Sequence, residues 1–415
     1  MGYSYNIDID LAYSRLTGVV KRTPLILNKN LSRKYQCEVY LKREDLQEVR
    51  SYKIRGAYNM IRSFSETELQ RGIVCASAGN HSQGVAYSCN LLKTQGIIFL
   101  PAIAQKQKIN QTKMFGGDYV EVRLVGDTFD DCYNEAKKYC ATENKIFIPP
   151  FDNELIIAGQ STVGVEILED LPNPDYIFVP IGGGGLCSGI SHLIKTKKLN
   201  SCVVAVEPAG APSFKEALKF GQPVSLPHID NFADGAAVKR FGDITFEILK
   251  ENLDNHLILI PEGKLCTTIL DLYTHEALVV EPAGALSVAA LDFYASEIRG
   301  KKVVCIISGS NNSIDRLQEI KERSLVYEGL KYYFIINFAQ RPGSLKDFVN
   351  KVLGPNDDIT RFEYLQKNHK EWAPAFVGIE MKSKDDYHSL ILNMKRFGFT
   401  YNEVSNNELL MSYLV

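Results

Sequence analysis

Short, largely continuous apolar runs recur along most of this chain: residues 73–76, 97–100, 119–125, 176–180, 203–207 and 303–308. A strand that is apolar on both faces has to be covered on both, which is the condition of a strand inside a parallel sheet. Helix-length stretches such as residues 53–64, 81–92 and 128–140 lie between the runs. Strand–helix alternation of this kind predicts an α/β fold of open twisted sheets with helices on both faces. Ligands of such sheets bind beyond the carboxyl ends of the strands, so the chemistry is expected there.

The pattern changes after about residue 323. A strand at 331–339 is followed by Arg341-Pro342-Gly343-Ser344-Leu345, which turns into a helix ending near 352. Strands at 359–367 and 375–381, a helix at 385–397 and a last strand at 401–404 complete a β-α-β-β-α-β order. This predicts a small α+β unit of ferredoxin-like type, a binding or interface domain and not a second active site. Forty-seven Lys and Arg against 49 Asp and Glu leave a net charge of −2, which excludes an electrostatic footprint for nucleic acid or an anionic membrane. The charge-free stretch 176–190 is too short and too rich in glycine to span a bilayer. The start, MGYSYNIDIDLAYSRL, lacks the basic-then-apolar pattern of a secretory signal. Nine scattered cysteines without a Cys-x-x-Cys pair favour reduced thiols over disulfides or a zinc site. A cytoplasmic protein is expected.

Four segments carry candidate chemistry. Gly182, Gly183, Gly184 and Gly185, then Leu186, follow a strand and open a helix. Successive amides there can converge on one anion, with phosphate the natural guest. No register fits the dinucleotide fingerprint or the Gly-x4-Gly-Lys loop, and a flexible loop or a close strand–helix crossing is the plainer alternative. In Ser51-Tyr52-Lys53-Ile54-Arg55-Gly56-Ala57, Lys53 opens a helix; desolvation would make it a nucleophilic, aldehyde-binding amine. The competing reading is a solvated basic patch with Lys42, Arg43, Arg50 and Arg55. Ser77, Ala78, Gly79, Asn80 and His81 end a strand and begin a helix, offering amides, a hydroxyl and a carboxamide for a carboxylate or phenolic oxygen, or merely a helix cap. His81 itself reads as structural. Ser308, after another buried strand, offers a hydroxyl to a ring nitrogen or simply lies in a turn. Lysine, phosphate loop, carboxamide and hydroxyl at strand ends together form the set that pyridoxal phosphate requires.

From about residue 16 onward the chain resembles the threonine dehydratases (threonine ammonia-lyases) of the tryptophan-synthase-β-like pyridoxal phosphate superfamily. Thr23-Pro24-Leu25, Lys42-Arg43-Glu44-Asp45, SYKIRGA, ASAGNHSQG, GGGGL, Val206-Glu207-Pro208, Asp234-Gly235, Glu281-Pro282-Ala283-Gly284 and Ser308-Gly309 occur in that family's order. The resemblance implies a two-lobed catalytic domain over 1–323, with a small lobe inserted at about 42–150, and an ACT-like regulatory domain over 324–415. It implies pyridoxal 5'-phosphate as cofactor and Lys53 as its Schiff-base lysine. Asn80 would bond the ring hydroxyl oxygen, Gly182 through Leu186 the phosphate and Ser308 the pyridine nitrogen, while Ser77 through His81 would hold the substrate carboxylate. A hydroxyl at the ring nitrogen cannot stabilise a pyridinium by charge, which favours elimination over transamination.

The expected reaction is loss of water from L-threonine to give 2-oxobutanoate and ammonia, with L-serine reacting similarly. L-isoleucine is the expected effector, L-valine a second candidate, and a homotetramer the expected assembly. Tyr52 replaces the family's usual phenylalanine. Ala78 stands where serine racemases have a second serine, which argues for dehydration. Ser213 replaces the acid of a cation-binding loop, so no metal is assigned. The regulatory unit occurs once, where longer relatives have two. The alternatives are a serine dehydratase or racemase on the same fold, or a non-catalytic sensor of amino acid or cofactor.

Overall fold

The computed structural model describes residues 5–77, 79–250, 253, 256–364, 370–405 and 407. The chain forms two compact units. One comprises the chain up to Glu262 together with Leu272–Ser313, the other Gly263–Asp271 together with the chain from Ile314 onward. The second unit thus takes in residues upstream of position 324.

In the first unit a six-stranded sheet runs in the order Leu25–Leu27, Glu38–Arg43, Lys302–Ile307, Tyr176–Pro180, Cys202–Pro208, Leu257–Ile260. All neighbours are parallel except the first pair. The apolar runs take the interior positions: Tyr176–Pro180 is flanked on both sides, with Phe178 opposite Cys305 and Val204. Ile177, Val179, Val304 and Ile306 pack with Ile167, Ile190, Phe214 and Phe246 in one buried cluster. A second parallel sheet, ordered Val120–Leu124, Gly96–Leu100, Ile73–Ala76, Ile146–Phe147, makes the smaller layer. Tyr119, expected in its strand, lies in a 3-10 turn instead.

Three helices meet behind the strand ends. Lys53–Arg62 is gripped between Asn80–Leu92 and the almost wholly buried Glu154–Asp170. The grip requires glycine: a Cβ on Gly84 would lie 3.1 Å from the Lys53 carbonyl carbon, and one on Gly159 2.6 Å from the Arg55 carbonyl oxygen. Contacts that close leave the Lys53 helix little freedom to slide.

The second unit holds an antiparallel sheet in the order Asp358–Tyr364, Trp372–Glu380, Lys331–Ala339, Thr400–Glu403. Helices Ser344–Lys351 and Asp385–Arg396 complete the β-α-β-β-α-β succession expected from the sequence. Alternation along Lys331–Ala339 puts Phe334, Ile336 and Phe338 into a core with Phe348, Leu390 and Met394. The second expected strand of this unit, 359–367, is described as Asp358–Tyr364, and residues 365–369 lie outside the described ones.

Candidate active site

The amide of Tyr52 donates to the carbonyl of Ser308 at 3.2 Å, and Ser51 bridges Gly309 in antiparallel fashion. The chain is thereby tied to the carboxyl end of Lys302–Ile307 just where the Lys53 helix begins. Lys53 Nζ donates to the carbonyl oxygen of Pro150 at 3.0 Å and lies 5.4 Å from the centre of the Tyr52 ring. Protein packed around the amine disfavours its charged form and pulls it down to about 8, against a smaller opposite pull from the Glu281 carboxylate. The side chain still keeps some accessible surface.

Pro150 leads directly to the glycine run. The Phe151 ring lies where a Cβ on Gly183 would be, 2.3 Å from its carbons, so the run is packed and not loose. Gly184 adopts φ +93°, left-handed, and caps helix Gly185–Thr196. Thr245 Oγ1 fixes the Gly183 carbonyl at 2.7 Å. Among the described residues none accepts a hydrogen bond from the amides of Gly182, Gly183 or Gly184. Free amides next to a helix N-terminus can receive an anion, and the loop is at the same time closely packed.

Asn80 opens helix Asn80–Leu92, and its carboxamide is held at both ends. Nδ2 donates to Glu281 Oε1 at 2.6 Å, and Oδ1 accepts from Asn311 Nδ2 at 2.7 Å. Glu281 and Asn311 were given no role from the sequence. Glu281 occupies the N-cap position of helix Pro282–Ala289, yet its side chain makes no capping bond and turns to Asn80 instead. Burial lifts its carboxyl to about 7, with Asp234 adding to the rise and Asn80 and Lys108 opposing it. Ser308 is buried one residue beyond its strand.

The Ser77 hydroxyl accepts from the Gly79 amide at 3.2 Å, and Gly79 is the residue preceding the helix. The His81 ring makes a 3.0 Å hydrogen bond with the Ile148 carbonyl; burial, then the Lys53 charge, lowers its pKa to about 3 and leaves it neutral. That side chain is structural, as its sequence context implied, so only its backbone remains available to a ligand. Ala78 lies outside the described residues.

The solvated basic patch is overturned for Lys42 and Arg55, while Arg50 is exposed as that reading expects. Lys42 and Arg55 are fully buried, with Glu44 and Glu166, in a cluster of two cations and two anions. Arg43 pairs with Asp45 at 2.7 Å. At the loop after Cys202–Pro208, Glu207 accepts the amides of Phe214 at 2.6 Å and Lys215 at 3.1 Å, anchoring helix Ser213–Phe220; burial nevertheless raises it to about 8. Among the described residues no group of three His, Cys, Asp or Glu is placed to hold a metal ion, and no helix is long and apolar enough to cross a membrane.

Comparison with known proteins fits this arrangement. Residues 16–309 match the family described as pyridoxal-phosphate dependent enzymes, and residues 322–414 match the C-terminal regulatory domain of threonine dehydratase. The chain is 55% identical over 409 residues to a biosynthetic L-threonine dehydratase of Halalkalibacterium halodurans, covering 98% of both chains. It is 52% identical over 405 residues to one from Bacillus subtilis, covering 97% of this chain and 96% of that one. Among solved structures, processed threonine deaminase isoform 2 from Solanum lycopersicum superposes with a TM-score of 0.71 at 34% identity, over 78% of this chain and 93% of that one. Maize serine racemase gives 0.71 at 28% identity, over 78% and 99%. With a lysine, an anion cradle and a carboxamide gathered at its strand ends, the chain belongs to the pyridoxal-phosphate dependent enzymes and, within them, to the biosynthetic threonine dehydratases with a C-terminal regulatory domain.

Proposed function

We propose that this chain is an L-threonine ammonia-lyase that eliminates water from L-threonine, yielding 2-oxobutanoate and ammonia at the first step of isoleucine biosynthesis. When bound, pyridoxal 5'-phosphate supplies an aldehyde and an electron-withdrawing ring that makes the Cα proton of an amino acid labile. The residues present fit that group, since the free amides of the glycine run and the Gly185–Thr196 helix start suit a phosphate. The observation that carries the reading is Lys53, a packed amine lowered to about 8 and joined to that cradle through Pro150 and Phe151.

Lys53 is assigned the aldehyde and, once released from it, the Cα proton, because its lowered pKa leaves neutral amine available near neutral pH. Asn80 is assigned the ring hydroxyl oxygen and Ser308 the ring nitrogen. Gly182, Gly183, Gly184, Gly185 and Leu186 hold the phosphate. The backbone of the 77–81 loop, Ala78 included, is assigned the substrate carboxylate. Residues 1–323 carry the chemistry, with the small lobe at about 42–150. Residues 324–415 bind the effector, for which L-isoleucine is the candidate inhibitor and L-valine the candidate antagonist. The working form is a cytoplasmic homotetramer.

The likeness to serine racemase favours one further test, turnover of L-serine, where a dehydratase releases pyruvate and a racemase D-serine. The deciding experiment is 2-oxobutanoate formation from L-threonine by the purified holoenzyme, with and without L-isoleucine. Turnover suppressed by isoleucine supports both halves. Turnover without inhibition removes the isoleucine assignment, and no turnover removes the lyase.

A further inference from the structure

The carboxamide of Asn80 has two faces, and something must decide which one the site sees. An ionised carboxylate accepts hydrogen bonds and donates none, so a carboxamide beside it has to present an N–H. Glu281 Oε1 takes one Nδ2 hydrogen at 2.6 Å, and Asn311 takes the oxygen end at 2.7 Å. Asn311 is itself fixed by a 3.0 Å bond from the same Nδ2 to the Val49 carbonyl. This leaves the second Nδ2 hydrogen of Asn80 to point elsewhere.

Glu281 is held as firmly as the group it orients. Its amide donates to the Gly309 carbonyl at 3.2 Å, and a Cβ on Gly309 would lie 2.3 Å from its Oε1. Its side chain is free of capping duty and is bonded instead by Asn80 Nδ2 at 2.6 Å and by the backbone of Asn311.

We propose that Glu281 is a positioning residue: as a carboxylate it takes one Nδ2 hydrogen of Asn80 and so aims the other toward the cofactor's ring oxygen, and on protonation that hold loosens. A protonated Glu281 is an uncharged and weaker acceptor, so its hold on Asn80 Nδ2 slackens while Asn311 keeps the oxygen end. The groups that face it are Asp234 and Lys108, and Lys53 and Tyr52 from the start of the Lys53 helix. Lys108 and Asp234 are paired with each other, which leaves burial as the largest influence and places the change near neutrality, at about 7.

The inference rests on the assignment of Asn80 to the ring oxygen, and the test separates the two. The visible absorption band of the holoenzyme is titrated from acid to mildly alkaline pH in the wild type, Glu281→Gln, Glu281→Asp and Asn80→Ala. Cofactor affinity of each apoenzyme is measured in parallel at the two ends of the range. The wild type is expected to show a spectral step near neutrality and several-fold weaker cofactor binding on its acid side. Glu281→Gln, which has nothing to titrate, loses the step, whereas Glu281→Asp keeps it at a shifted midpoint. Glu281→Gln adds no further change in an Asn80→Ala background. A step that persists unchanged in Glu281→Gln overturns the inference while leaving the Asn80 contact standing if Asn80→Ala alters the band. An Asn80→Ala holoenzyme with a wild-type band overturns both.

Discussion

Replacing Arg55 by methionine isolates the buried charge cluster behind the active-site lysine. Arg55 is 1% exposed and donates to Glu44 through Nε and Nη2, both at 2.8 Å, and to Glu166 through Nη1 at 2.7 Å and Nη2 at 2.9 Å. Lys42 reaches Glu166 at 2.5 Å, so the intact cluster is neutral. Methionine fills much of the same volume but leaves two buried carboxylates facing one ammonium. Removing one partner of a buried pair costs about 3–5 kcal/mol, because the survivor stays desolvated and unpaired. For a unit of this size the melting temperature should fall by roughly 5–10 °C.

The pH dependence identifies the cause. Burial is the largest single influence and would raise the Glu44 carboxyl, but Arg55, with Lys42 and Thr23, outweighs it and holds the folded value below the ordinary one. A depressed carboxyl contributes stability above its unfolded pKa and loses it as pH falls through the folded one. Without Arg55 burial dominates, Glu44 is raised, and the variant is penalised wherever that carboxyl must stay ionised. The deficit against wild type should therefore be largest near pH 8 and shrink toward pH 5, read by thermal or urea unfolding at both values. A deficit under about 1 kcal/mol, the level of an exposed ion pair, or one that is independent of pH, would refute the reasoning.

Gly183→Ala forces a Cβ to 2.3 Å from the Phe151 ring. Overpacking of about 1–3 kcal/mol should weaken cofactor binding by roughly 5- to 100-fold in an absorbance titration, and unchanged affinity would remove the loop from the phosphate site. Lys53→Ala should lower kcat by about 10³-fold or more and abolish the covalently bound cofactor band, whereas full turnover would end the proposed chemistry. With its amine lowered to about 8, Lys53 gains neutral nucleophile as pH rises through that value. Stopped-flow capture of pyridoxal 5'-phosphate by the apoenzyme should accelerate over the same interval, and a flat rate would place the amine's titration elsewhere.

The elements that could be read directly are those whose local pattern and tertiary surroundings agree. Ile73–Ala76, Tyr176–Pro180 and Lys331–Ala339 fall at their expected bounds, because a short run made mostly of apolar and aromatic residues has one low-energy environment. Glu38–Arg43 was not expected as a strand: three of its six residues are charged, and Lys42 can sit inside the sheet only because Glu166 arrives from a helix over a hundred residues later. The glycine run is a candidate anion loop from its sequence alone, but its packing against Phe151 depends on a contact no window of sequence contains.

The amino-acid order by itself determined the α/β alternation, the appended β-α-β-β-α-β unit and the identity of the chemical groups, since these follow from residue type and periodicity along one stretch of chain. Only the tertiary structure decided what those groups are worth. It turned an apparent basic surface into a buried neutral cluster and gave Lys53 the desolvation that lowers its amine. It also turned Glu281 from the cap of its own helix to the carboxamide of Asn80, 201 residues away in sequence. Burial and electrostatic partnership are properties of neighbours in space, and for these residues the neighbours come from distant parts of the chain.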